Sequence, residues 1–270
     1  MVISAVLVAC SAAPSPGASD DQGATSSGSP MEGDAVDVED GDTFTFESAA
    51  GVMTIRLLGV NGPERDECLH DEAAAWLAAT LDAKPVKVEG HGPDQFGRIL
   101  GYVWVGDNFV NLALVESGLA IATTPGESET RGDDLLAAEE SAYREQAGLW
   151  GPAVCGAARD LALKVDISGH NPPGPDDAVL DLEHVVIVND GDTTDDLSGW
   201  LLRDESSSHR FRFPEGSIIE PSTELVVTSA DPGWEPGGSP VWNNDGDMAL
   251  LLTPDGAVAA RERYRPDRRP

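Results

Sequence analysis

Residues 35–46, AVDVEDGDTFTF, followed by 51–60, GVMTIRLLGV, carry the reading of the fold. Apolar and polar side chains alternate through both stretches in short runs, the period of half-buried strands, and residues 48–51 supply a turn between them. The pattern turns helical over 71–83, DEAAAWLAATLDA, where acids occupy the first turn and Ala74, Leu77 and Leu81 share one face. Strands return at 85–89 and 99–105, and Gly106-Asp107-Asn108 makes a tight turn. A short helix over 110–117 is closed by Gly118, and a last helix runs over 133–146 before Gly148. Short strands interleaved with three helices predict an OB-type β-barrel of the α+β class.

After Pro152 the pattern changes. VVIVND (185–190), SGWLLRD (198–204), HRFRFPEG (209–216), ELVVTSA (224–230) and DMALLLTPDG (247–256) are short strand-like runs separated by Gly, Pro, Asn and Asp, the pattern of an all-β sandwich. The 270 residues have room for both units, 35–155 and 161–265, with the boundary near 153–163.

The chain opens MVISAVLVAC, an apolar run too short to span a bilayer that ends at a cysteine followed by small residues. Leu7-Val8-Ala9-Cys10 resembles the cleavage pattern of bacterial lipoprotein signals, although the positive n-region is missing. That resemblance implies a lipid on Cys10, a signal over 1–10 and a protein anchored at the outer face of the cytoplasmic membrane. Residues 11–34 are rich in Ser, Gly, Ala, Pro and Asp with little to bury, and read as a flexible tether. The other two cysteines, Cys68 and Cys155, bracket the middle segment, so an oxidising compartment favours one disulfide between them. In the chain-entropy account it contributes ~4–5 kcal/mol. No CxxC spacing is present and the five histidines are scattered, which argues against a metal pair.

Forty-eight acidic residues against 17 basic ones give a net charge of −31, and only Lys84, Lys87 and Lys164 are lysines. The deficit runs through every segment, so no basic face is set aside for a polyanion. Such a composition resembles that of proteins from salt-loving organisms, where a Debye length of ~3 Å at 1 M screens general repulsion and leaves local arginines able to grip a phosphate. The C-terminal RERYRPDRRP carries five of the 14 arginines and reads either as a nucleic-acid-attracting tail or as a solvated end.

Three pieces of the middle segment concentrate chemistry at strand ends: DGDTF (40–44), RLLGVNGPE (56–64) and DQFGR (94–98). Asp42 offers a hard carboxylate oxygen suited to calcium, Glu64 a second carboxylate, and Arg56 and Arg98 two planar guanidiniums able to fork phosphate oxygens. These are the parts of phosphodiester hydrolysis without a covalent nucleophile. Taken singly, each is an ordinary turn, strand arginine or helix-start dipeptide.

In that order and spacing they resemble the staphylococcal nuclease family, as do VNLALVESGLA (110–120) and GLWGP (148–152). The resemblance implies that Arg56 and Arg98 bind phosphate, that Glu64 activates water, and that Asp42 ligates Ca2+ with Asp40 behind it. It places Asn61 where the family has a second aspartate ligand, and Gly62 where a threonine lends its backbone carbonyl. Losing one negative charge at Asn61 predicts weaker divalent binding, and Gly62 keeps the carbonyl on a looser loop.

The C-terminal segment resembles the lamin-tail domain, an immunoglobulin-like sandwich, with Trp200 and Trp242 in its core and a binding or tethering role. Asp245 and Asp247 read as a turn in preference to a calcium site. The expectation is thus a secreted or surface-anchored calcium-dependent nuclease acting on DNA and/or RNA, with a protein or surface partner for the sandwich. The alternative is a catalytically weak or inactive cell-surface binding or scaffold protein.

Overall fold

The computed structural model describes residues 29–126, 129–152, 154–155 and 163–265. The signal with Cys10, most of the tether and the last arginines of the tail lie outside the described residues.

The first unit runs β1 (Met31–Val38), β2 (Thr43–Ser48), β3 (Gly51–Leu57), β4 (Val60–Asn61), α1 (His70–Leu81), β5 (Val86–Pro93), β6 (Ile99–Val105), β7 (Asn108–Phe109), α2 (Val110–Glu116), β8 (Ile121–Ala122) and α3 (Gly132–Arg144). Strands β1, β2 and β3 form an antiparallel meander, β5 pairs with both β1 and β6, and β3 meets β6 in parallel with Ile55 opposite Ile99. That parallel pairing closes a five-stranded barrel with three helices, as the alternation predicts. Phe44, Phe46, Ile55, Leu57, Val88 and Tyr102 fill it, and Leu77, Leu114 and Leu135 of the three helices pack on the same core. Fully buried Asn111 of α2 fastens the closure: its Oδ1 accepts the Val103 N–H at 3.0 Å and its Nδ2 donates to Leu58 O at 2.9 Å.

Two expectations shift. Strand β1 starts at Met31, inside the expected tether, because Met31 and Gly33 pair with Val88 and Val86 of β5. The inward face of α1 holds Ala73, Leu77 and Leu81, and Ala74 is only half-buried, since the stripe runs at four-four spacing where the expected set had three-four.

The second unit runs β9 (Leu163–Asp166), β10 (His184–Asn189), β11 (Asp195–Asp196), β12 (Leu201–Arg203), β13 (Arg210–Arg212), β14 (Ile218–Ile219), β15 (Glu224–Thr228), β16 (Trp234–Glu235), β17 (Asp247–Leu252) and β18 (Val258–Tyr264). One sheet is ordered β15-β10-β9 and the other β16-β13-β12-β17-β18. Val185, Ile187, Trp200, Phe211, Trp242 and Leu251 form the core between them, with both expected tryptophans inside.

Strand β17 is buried on both faces. Ala249 and Leu251 point into the sandwich, while Met248, Leu250 and Leu252 join Leu201 against Ile121, Ala142, Leu149 and Trp150 of the first unit. The uninterrupted apolar run of 248–252 therefore serves two cores at once. Around this joint the tail reading is corrected. Arg261 and Arg263 belong to β18 and bind Glu139 at 2.8 and 3.1 Å, Arg263 also reaches Glu205 at 2.6 Å, and Arg265 pairs with Asp133. These arginines fasten one unit to the other instead of offering a free basic end. The Cys68–Cys155 disulfide forms as expected, with Cα atoms 5.9 Å apart. Among the described residues no helix is long and apolar enough to cross a membrane.

Candidate active site

The β1–β2 connection, the segment from the end of β3 through β4 to α1, and the β5–β6 connection each deliver part of the expected set. In the first, Asp40 Oδ1 accepts the Asp42 N–H at 3.0 Å, a self-closed turn that turns the Asp42 side chain inward. Asp42 Oδ1 accepts the Thr43 hydroxyl at 2.9 Å, and Oδ2 accepts the Gly62 N–H at 2.5 Å. Arg56, from β3, lies 3.1 Å from the same Oδ2, and the two side chains are only 14% and 8% exposed. Burial nevertheless holds the Asp42 carboxyl above its ordinary range, against the pull of Arg56 and with a push from Asp40. The arginine alone does not offset the cost of burying that charge.

Arg56 is fully engaged at its tip. Nη1 donates to Leu57 O at 3.1 Å and Val60 O at 2.7 Å, and Nη2 donates to Asn61 Oδ1 at 2.6 Å. The other end of the Asn61 amide donates to Ser207 Oγ at 2.8 Å, a residue of the second unit.

Arg98 is placed by the turn before β6. Asp94 Oδ1 accepts the N–H groups of Phe96 and Arg98, both at 2.9 Å, and Oδ2 takes Arg98 Nε at 2.7 Å. The guanidinium also lies 5.4 Å from the centre of the exposed Phe96 ring.

A cleft of about 280 Å³ brings together Arg56, Asn61, Phe96 and Arg98 with Ser206 and Ser208. Glu129 lines it too, its carboxyl raised by burial. Beside it a wider cleft of about 650 Å³ holds Asp40, Glu64, His70, Ser207 and Arg210. Protein packed around Glu64, then the charges of Glu67 and Asp42, push its carboxyl above the ordinary glutamate value, while Arg210 and Arg203 draw it down. The expected residues thus gather at one end of the barrel, but loop 206–208 stands between the two arginines and Glu64.

That loop is clamped on both flanks. Before it, Arg203 Nη2 donates to Glu67 Oε2 at 3.0 Å, and Glu205 accepts the Thr124 N–H at 2.6 Å. After it, Arg210 binds Glu67 at 3.0 Å and Asp66 at 2.7 Å. Within it, Asp204 Oδ2 receives the Ser206 hydroxyl at 2.8 Å and lies 3.0 Å from His209 Nδ1. Hydrogen bonding to Asp204 raises His209 above its ordinary value, against burial.

The barrel, its three helices and this order of charges agree with the comparison to known families. Residues 54–152 match the model of the staphylococcal nuclease homologue family. Residues 161–265 match the Lamin Tail Domain. The nuclease match begins within β3, so Asp40 and Asp42 precede it and take their place from geometry. The chain is 28% identical over 129 residues to Protein ParB of Escherichia coli, covering 44% of this chain and 72% of that protein. It is 28% identical over 158 residues to the probable endonuclease LCL3 of Komagataella phaffii, covering 45% and 69%. With the thermonuclease of Staphylococcus intermedius it shares 28% over 121 residues, covering 42% and 72%. At this level the first unit is similar to nuclease-family proteins.

For a hard divalent cation the first unit offers the Asp42 carboxylate, Asn61 Oδ1 and the Gly62 carbonyl, all oxygen donors of the right chemistry. Among the described residues no group of three or more His, Cys, Asp or Glu side chains is arranged to hold a metal. The set carries a single charged ligand, and Arg56 already engages both Asp42 Oδ2 and Asn61 Oδ1, so a cation there would have to displace the guanidinium.

Sequence reading missed Asp94 as the orienter of Arg98, though an Asp four residues ahead of an Arg in a Gly turn was the available signal. It missed Ser207 entirely.

Proposed function

We propose that the chain is a surface-anchored, calcium-dependent nuclease that hydrolyses phosphodiester bonds of DNA and/or RNA. The observation that carries the reading is the gathering of Asp42, Arg56, Asn61 and Arg98 at one barrel end with Glu64 beside them. Arg98, oriented through its Nε by Asp94, keeps its terminal nitrogens for equatorial phosphate oxygens. Arg56 reaches a phosphate by giving up Asp42 or Asn61, because both its terminal nitrogens are bonded to protein oxygens. Glu64, its carboxyl raised above the ordinary glutamate value by burial, orients or deprotonates the attacking water. Calcium, held by Asp42, Asn61 and the Gly62 carbonyl with Asp40 behind them, would supply polarisation of the phosphate. The lipoprotein-like leader and the disulfide are what support a lipid on Cys10 and anchoring at the outer face of the cytoplasmic membrane in this reading.

A second reading, a weakly active or inactive surface scaffold, draws on Asn61 and on the inward bonding of Arg56. Release of acid-soluble nucleotides from single-stranded DNA, with calcium or chelator at several salt concentrations, separates the two. Release that needs calcium and disappears in Glu64→Gln is the expected outcome, and no release from folded protein in any condition would leave the scaffold reading.

A further inference from the structure

Asn61 departs from the expected aspartate, and its amide makes demands that a carboxylate would not. Arg56 Nη2 requires an acceptor and so takes Oδ1, which leaves the NH2 group in need of one. The acceptor is Ser207 Oγ at 2.8 Å, across 146 residues of sequence. A serine hydroxyl accepts through its lone pairs and still has its own proton to give. Among the described residues, Ser207 makes no hydrogen bond besides the one from Asn61. Ser207 borders the Glu64 cleft, while Ser206 and Ser208 on either side border the arginine cleft. The hydroxyl therefore sits at the divide between the groups that would bind phosphate and the group that would handle water.

The loop does not rest there by chance of surface packing. Arg203 and Arg210, one on each flank, both grip Glu67, three residues beyond Glu64, and Glu205 grips Thr124 beside the arginine cleft. Arg203 and Glu67 are 3% and 2% exposed, so the grip is internal to the molecule.

We propose that Ser207, carried by the second unit, is a substrate-positioning residue of the phosphodiester site, pinning the Asn61 amide with its oxygen and donating its proton to a nonbridging phosphate oxygen. A neutral donor suits a chain of net charge −31, which repels a nucleic-acid backbone at long range. The inference rests on the nuclease reading above.

The test uses the full chain. KM and kcat on a fluorescein-labelled single-stranded oligonucleotide are measured for wild type, Ser207→Ala and Ser207→Thr, and Kd by fluorescence anisotropy in a Glu64→Gln background. Ser207→Ala should raise KM and Kd by about tenfold, the worth of one hydrogen bond to a charged group, with kcat within about twofold and a lowered unfolding midpoint, because the buried Asn61 NH2 loses its acceptor. Ser207→Thr, which keeps the hydroxyl, should restore most of the loss. In an Asn61→Asp background the effect of Ser207→Ala should shrink, because a carboxylate at 61 draws the serine proton to itself. A wild type that cleaves while Ser207→Ala matches or exceeds it would overturn the proposal and make the loop inert or an obstacle. A folded wild type that neither binds nor cleaves would instead sink the nuclease reading itself.

Discussion

Arg98 and Asp94 show how a single side chain can be present and still need a second to be useful. Asp94 fixes the main chain of the turn through Oδ1 and the arginine through Oδ2, so the guanidinium enters the cleft at a set angle. Removing Arg98 removes the charge, and Arg98→Ala should lower kcat/KM by about 10²–10³, as for loss of a donor to a transition-state oxyanion. Asp94→Ala keeps the charge and loses the aim, so steady-state kinetics should show a smaller fall, about tenfold. Equal losses in the two variants would mean that the turn collapses without its aspartate. Arg56, Glu64 and Arg98 were legible in the sequence because their order and spacing along a continuous stretch carry the signal. Ser207 was not, because a run of three serines after an Asp-Glu pair reads as a solvent loop until a distant amide is laid against it.

Among the elements, the hairpin that holds Asp42 is pinned by its neighbour helix. Gly41 lies so close to α1 that a Cβ built on it would stand 2.7 Å from the Ala73 Cβ. Gly41→Ala should therefore lower the urea unfolding free energy by about 1–3 kcal/mol through overpacking, and should reduce activity further by moving Asp42. A variant with wild-type stability and activity would show that α1 yields at no cost. The strands and helices of the barrel were readable because each has one buried face and keeps its period. The face of α1 was misplaced by one residue because Ala73 and Ala74 are chemically identical, so only the packing against the β1–β2 connection distinguishes them. In β17 the sequence shows an apolar run without saying that half of it faces another domain.

Across the whole molecule, the joint concentrates buried charge as well as apolar surface. Asp247 accepts N–H bonds from Glu205, Asn243 and Met248, yet burial, then Glu205 and Asp204, lift its carboxyl from 3.8 to about 7. A carboxyl raised on folding adds stability that is complete below its unfolded value and is lost as pH climbs through the folded one. The urea midpoint should accordingly fall between about pH 4 and pH 7, by an amount on the order of a few kcal/mol in free energy. A midpoint flat across that window, or a carboxyl carbon of Asp247 titrating near 4, would contradict it. Arg261 and Arg263 were misread for the same reason that the joint is strong: charges at a chain end look free until Glu139 and Glu205 are found opposite them. The clamps on both flanks of loop 206–208 also bear on how such a protein can be inherited. Two segments with separate family descriptions share one lip of one cleft, so replacing the second with its counterpart from a relative would exchange part of the mouth through which substrate enters. The part that recombination can shuffle without penalty is the pair.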